Sequence, residues 1–402
     1  MKNFIILIFC SVLLISFSAY AESLLVEDEL WMLGSYSDDG DIEAGFWRSV
    51  SCSAMEDEIA TAISFKLNLG ERYQGVDIFT RDGNAPIFAL DEFYIRIRGS
   101  HVFGKQIFIN NGVKFDFASI DPFETRDLSE PFSALDRDKF LGNWGIFSKF
   151  MNERLETIFL LHEPPVLALD SENFWTRELP TNLHYGDVKN ETHYSLGLRW
   201  LDSWGNWDYE LFTQHGSGNS PVDIEVDKFG RVRPIISEQF SVGGAVQFPL
   251  WKNIVRAGLT NYFQAGYSDF TVGILEIERI WENIISLGDS LFLDIGLADV
   301  WELEGGKGAS EIDMRRIYEG GTLLTTAEYS KGDWLFKLKG AYNIEHEGVY
   351  IAPEIVWRGR DLDLSLKYEI VEGKSSKVAP LDNIWSAHSD DDMLSLKLIF
   401  YF

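Results

Sequence analysis

The stretch Asp391 to Phe402, DDMLSLKLIFYF, leaves a chain few ways to fold. Leu394, Leu396, Leu398, Phe400 and Phe402 occupy every second position, with Met393, Ser395, Lys397, Ile399 and Tyr401 between them. A strand sends alternate side chains to opposite faces, so one face is wholly apolar and the other carries a serine and a lysine. At the free edge of a soluble sheet such a strand invites aggregation. In a membrane barrel the same strand closes the sheet, apolar toward lipid and mixed toward the lumen.

The pattern resembles the C-terminal insertion signal of bacterial outer-membrane barrels, with Phe400 and Phe402 as its aromatic positions. That resemblance implies recognition of the last strand by the barrel-assembly machinery. The N-terminus is consistent with it: Lys2, an apolar run from Phe4 to Phe17, then Ala19-Tyr20-Ala21 before Glu22. A positive start, a short apolar core and small residues at the cut predict a secretory signal over 1–21, cleaved near Ala21. The run is shorter than the 18 or so residues a spanning helix needs. Later in the chain no apolar run approaches that length, so the sequence excludes a helical membrane protein.

Net charge is −28, from 63 acidic and 35 basic residues, which argues against nucleic acid as a partner. The acids must sit in aqueous loops or a lumen, beside lipid and lipopolysaccharide. Once the signal is cut, Cys52 is the single cysteine, so no disulfide framework forms and no metal site or cofactor is indicated. Aromatic residues make up 14% of the chain and are spread along it, as the girdles of a barrel require.

Sixteen alternating segments run from 59–69 to 391–402, and residues 22–58 form either an N-terminal segment or a first hairpin, which would make eighteen strands. Connections 110–143, 163–190, 216–235, 303–320 and 373–390 are long, while turns such as Ser330-Lys331-Gly332 and Gly359-Arg360-Asp361 are short. Long and short connections alternate, as in a barrel with extracellular loops and periplasmic turns. The expected fold is therefore an all-β transmembrane antiparallel barrel of 16–18 strands occupying 59–402, in the outer membrane.

Strand phase then assigns a lumen face. Glu92, Tyr94, Arg96 and Arg98 alternate with Phe93, Ile95 and Ile97, and Arg199 lies between Leu198 and Trp200. Lys337 and Lys339, Glu354 and Arg358, and Lys367 share the polar faces of their segments. Mixed charge inside a barrel fills a wet interior and sets its selectivity. Within the 34-residue connection 110–143, Phe115, Phe117, Ile120, Phe123 and Phe132 call for packing, so it is expected to fold into the barrel mouth. Asp116, Asp121, Arg126 and Asp127 are its candidate polar contacts.

The segment LDEFYIRIRGSHVFGKQIFINNGVKFDFASIDPFETRDLSEPF (90–132) resembles a hairpin and loop of a porin-like outer-membrane barrel family related to alginate-export-type channels. The matches are Glu92 and Tyr94, Gly104-Lys105-Gln106, Gly112, and Asp121-Pro122 followed by Asp127, with Asn110-Asn111 where that family has a tryptophan before the glycine. The resemblance implies a passive pore, adds Lys105 to the constriction candidates and names no cargo. Enzyme signatures are absent: no H-E-x-x-H, P-loop or G-x-S-x-G occurs, and neighbours such as His388-Ser389 point apart along the chain. The expected function is passage of small hydrophilic solutes without catalysis. Alternatives are a lipid-acting barrel hydrolase and a non-conducting structural or adhesive barrel. A homo-oligomer is compatible with the sequence.

Overall fold

The computed structural model describes residues 23–35, 42–54, 59–69, 88–98, 100–107, 112–115, 120–123, 142–161, 184–185, 189–190, 192–218, 223–226, 228, 231–303, 317–373, 385 and 392–401. Its strands in the first half are Ser23–Ser35 (β1), Ile42–Ala54 (β2), Ile59–Leu69 (β3), Phe88–Ile97 (β4), His101–Ile107 (β5), Gly142–Phe150 (β6), Leu155–Leu161 (β7), His184–Tyr185 (β8), Lys189–Asn190 (β9), Tyr194–Trp204 (β10) and Trp207–Ser217 (β11). The second half adds Asp223–Val226 (β12), Arg231–Ile236 (β13), Glu238–Leu250 (β14), Asn253–Gln264 (β15), Phe270–Glu282 (β16), Asp289–Glu302 (β17), Thr322–Lys331 (β18), Trp334–Asn343 (β19), Gly348–Arg358 (β20), Leu362–Glu372 (β21) and Met393–Tyr401 (β22).

Eighteen of these strands form one antiparallel sheet in which β7 pairs with β10 and β11 with β14. The ring closes where Ser35 of β1 meets Met393 of β22 and Glu27 meets Tyr401. Closure matters physically, because every backbone N–H and C=O in hydrocarbon then finds a partner and no edge remains. Strands β1 and β2 pair antiparallel, with Val26 opposite Val50, and both belong to the eighteen-stranded sheet. Strands β8, β9, β12 and β13 lie outside the ring as a small sheet built from two long connections. The sequence pattern missed them because two- to six-residue strands carry no readable period.

Alternation along each strand produces two faces. Leu196, Leu198, Leu275, Ile277, Ile295, Leu297, Phe336, Leu338, Ile351, Ile355, Leu364, Leu366, Leu394 and Leu396 are all exposed and point outward. A continuous outer surface of this kind belongs in lipid. At a strand spacing of about 4.8 Å and a tilt of about 40°, eighteen strands give a ring about 35 Å across. Its interior has room for loops as well as side chains.

Inner-face residues divide the wall into two zones. Toward the short turns they are mostly charged, whereas toward the long loops Tyr262, Phe270, Val272, Ile274, Ala298, Leu324, Tyr350 and Val371 are buried among polar residues such as Gln214, Gln264 and Asn343. Ile317, Tyr318 and Trp385 from the long connections are buried in the same apolar cluster. The inner face is therefore mixed, with buried apolar residues beside the charged ones. Phase reports which face a residue occupies, and an apolar inner residue becomes stable only when a loop covers it.

Candidate functional site

Inward folding of the connection after β5 places its described residues against β10, β11 and β15, several strands away around the ring. The Ile120 carbonyl accepts hydrogen bonds from Thr260 Oγ1 at 2.8 Å and from the Tyr262 hydroxyl at 2.9 Å. The Asp121 carboxylate accepts from Arg199 Nη2 and, at 3.0 Å, from the Phe123 backbone N–H. The Arg199 guanidinium also lies 5.4 Å from the centre of the Phe123 ring. Two inner-wall positions make the approach possible by lacking a side chain. A Cβ on Gly197 would overlap the Phe123 ring, and one on Gly258 would overlap Ile120 and Phe115.

Arg199 is the hub. It is fully buried, donates to Glu156 Oε2 at 3.1 Å and lies 4.0 Å from Glu210, while Lys149 reaches Glu156 at 3.7 Å from the other side. Burial pushes the Asp121 carboxyl up from its usual range, and the adjacent guanidinium opposes that shift. The cluster fixes the loop to the inner wall.

Two further charged groups continue around the inner wall. On β14 to β17, Arg256 donates to Gln247 at 2.8 Å and to Glu278, and faces Asp294 at 3.9 Å. On β18 to β21, Lys337 lies 4.0 Å from Glu328 and 3.7 Å from Glu354, and Ser365 donates to Glu354 at 2.5 Å. Lys367 lies 3.0 Å from Glu369, which also accepts from the Tyr350 hydroxyl at 2.5 Å. Pairing satisfies the buried charges of Arg256, Glu278, Asp294 and Glu369, and Lys337 and Glu354 stay partly exposed.

Of the residues singled out by sequence, Glu92, Tyr94, Arg96, Arg199, Lys337, Lys339, Glu354, Arg358 and Lys367 lie on the inner face, as their register and the exposure of the intervening residues show. Arg96 Nη2 donates to the Tyr94 hydroxyl at 3.3 Å. Arg98 is a correction: β4 ends at Ile97, and Arg98 sits in the following turn with φ 51°. Lys105 is buried, one residue beyond Gly104, whose φ is 132°. Asp116, Arg126, Asp127 and Phe402 lie outside the described residues, as does His388. Phe400 is on the outer face of β22, opposite Leu362. Sequence reasoning missed Arg256, Glu278 and Asp294, whose signal was the same inner phase on neighbouring long strands. It also missed Thr260, Tyr262 and Gly258, whose role depends on a loop more than a hundred residues away.

His215 faces outward and meets Glu238 at 3.2 Å, away from the lumen. Among the described residues no group of three metal-binding side chains forms.

Fold and site together define a transmembrane β-barrel with an inward-folded loop. No protein-family model matches the chain, and no curated protein matches it in sequence. Among solved structures it is similar to Pseudomonas aeruginosa OpdK with vanillate, at 10% identity over 95% of this chain and 99% of that one, with a TM-score of 0.47. It is also similar to in-vitro folded OmpT of Vibrio cholerae in its trimer form, at 9% identity over 94% and 99%, TM-score 0.41. A mutant of Rh. blastica porin gives 8% identity over 94% and 99%, TM-score 0.41. Similarity at this level carries nothing about cargo or assembly.

Proposed function

We propose that the chain is an outer-membrane channel for passive or facilitated diffusion of small hydrophilic solutes. The observation that carries this reading is the inward placement of three charged clusters, around Arg199, Arg256 and Lys337, in a barrel whose outer face is apolar. Buried charge without a water-filled path beside it is costly, and a wet interior removes that cost. Residues 112–115 and 120–123 narrow the lumen on the β10–β15 side, so solutes pass along the opposite wall, past Arg96, Lys339 and Lys367. Selection then follows from width and from the paired charges. In this reading the short-turn rim faces the periplasm. Kinship with alginate-export-type channels stands as a proposal on residues 90–132 alone, and the reading includes no catalytic role.

One observation favours the non-conducting barrel instead. The apolar cluster of Ile317, Tyr318 and Trp385 against Tyr350 and Val371 fills part of the long-loop half of the interior. Swelling of liposomes containing the purified barrel, with neutral sugars of graded size and small organic anions and cations, decides between the two. A channel gives rates that fall with solute size. Impermeability to every solute would remove the channel reading and leave the structural one.

A further inference from the structure

The outer wall of β16 carries a cation where the rest of that face is apolar. Leu275 and Ile277 are exposed on it, and two residues further on the same face bears Arg279, whose register partner on β17 is Leu293. The guanidinium lies 4.7 Å from the centre of the Trp281 ring. Arg279 Nε is buried without a hydrogen-bond partner, and among the described residues no carboxylate lies within ion-pair distance of this side chain. By contrast Arg154, near the same rim, meets Asp202 at 3.5 Å.

Below Arg279 the turns mix the exposed polar residues Lys252, Glu282 and Asn283 with large exposed apolar ones. The next turn exposes Ile285 at 74% and Leu287 at 96%, and the neighbouring turn exposes Trp251 at 91%. That turn is rigidly built, since Asp289 accepts from the backbone N–H groups of Ile284, Ile285 and Ser286. The tip after β20 is polar, with Arg360 and Asp361, whereas those at Met151 and Trp204 also expose apolar side chains. Arg279 therefore lies between apolar outer wall above and the exposed Ile285 and Leu287 beneath.

An arginine on the lipid face is costly at mid-bilayer and less so near the boundary. A bound anion offsets that cost, and the guanidinium fork matches the two free oxygens of a phosphodiester. We propose that Arg279 and Trp281 form a site for the phosphate of a membrane glycerophospholipid, whose acyl chains lie on the apolar outer wall of β16 and β17. The site rests on the barrel spanning a membrane and does not depend on conduction, so bilayer recordings test the channel reading separately.

The test is native mass spectrometry of the detergent-solubilised full chain titrated with phosphatidylglycerol, alongside R279Q and the rim control K331Q. Retained fold is checked by heat-dependent migration on gels. The site predicts at least a fivefold loss of bound phosphatidylglycerol in R279Q and none in K331Q. Should R279Q fail to fold, R279K is read in its place, with a two- to threefold loss expected because the charge remains and the fork is gone. Equal retention by the folded variant, equal retention of uncharged diacylglycerol, or displacement by millimolar glycerol phosphate would each overturn the proposal. The last outcome would mark an open phosphate site in place of a lipid one.

Discussion

Arg199→Leu is the perturbation that separates a pinned loop from one lying idle in the lumen. The substitution removes the positive charge facing Asp121, Glu156 and Glu210, all of which are buried. Truncating one member of a buried ion pair costs about 3–5 kcal/mol, because the remaining charge loses its compensation. Two carboxylates at about 5 Å repel by roughly 3 kcal/mol at an effective dielectric of 20, the same order. Glu156 and Glu210 belong to wall strands held by ladder hydrogen bonds, so the relief falls on the one carboxylate that can leave, Asp121. The two hydrogen bonds to the Ile120 carbonyl, roughly 1 kcal/mol each, do not outweigh that. At about 1.4 kcal/mol per factor of ten, opening of Ile120–Phe123 should become about 100- to 3,000-fold more frequent. Hydrogen exchange of the Phe123 amide, which the Asp121 carboxylate holds at 3.0 Å, is the readout, with an amide of β16 as internal reference. The double variant R199L/D121N should recover most of the protection, since no charge is left stranded on the loop. Exchange within threefold of wild type in R199L would refute the account of what holds the loop.

Other outcomes follow from the same geometry. Gly258→Val places atoms where Ile120 and Phe115 sit, so the loop should move off the wall and single-channel conductance should change in a barrel that still folds. Arg96→Gln should shift the reversal potential in a salt gradient toward cations, and R98Q should shift it less, because Arg98 belongs to the turn. Asp289→Ala removes the acceptor for three backbone N–H groups and should lower stability by about 2–4 kcal/mol in urea unfolding from detergent, at roughly 1 kcal/mol per bond. Lys337→Met leaves Glu328 and Glu354 facing each other across β19, and should raise cation over anion permeability.

Much of the fold was legible because a lipid-facing barrel writes its phase into nearly every strand. Leu364-Ser365-Leu366-Lys367 shows both the period and the face, and the structure places Leu364 and Leu366 outward and Lys367 inward. Residues 22–58 were ambiguous because three consecutive acids, Glu27, Asp28 and Glu29, interrupt the apolar alternation of the segment. The charged inner residues could be found by phase, but their pairings could not. Arg199 meets Glu156 because β7 and β10 are neighbours in the ring with these two residues in register, and it meets Asp121 only because a loop folds into the lumen. The apolar inner zone was hidden for the converse reason. Phe270, Val272 and Ile274 read as ordinary strand residues, and only Ile120, Tyr318 and Trp385, brought in from loops, explain why they face inward.

Single-channel recording of the heat-modifiable, full-length barrel in planar bilayers is the most direct test of the central claim, that a lipid-facing ring of eighteen strands encloses a charged, wet passage. The claim predicts uniform ohmic steps, with a salt-gradient reversal potential that R96Q moves. A correctly folded barrel that inserts into lipid and never rises above the bare-bilayer current would contradict it.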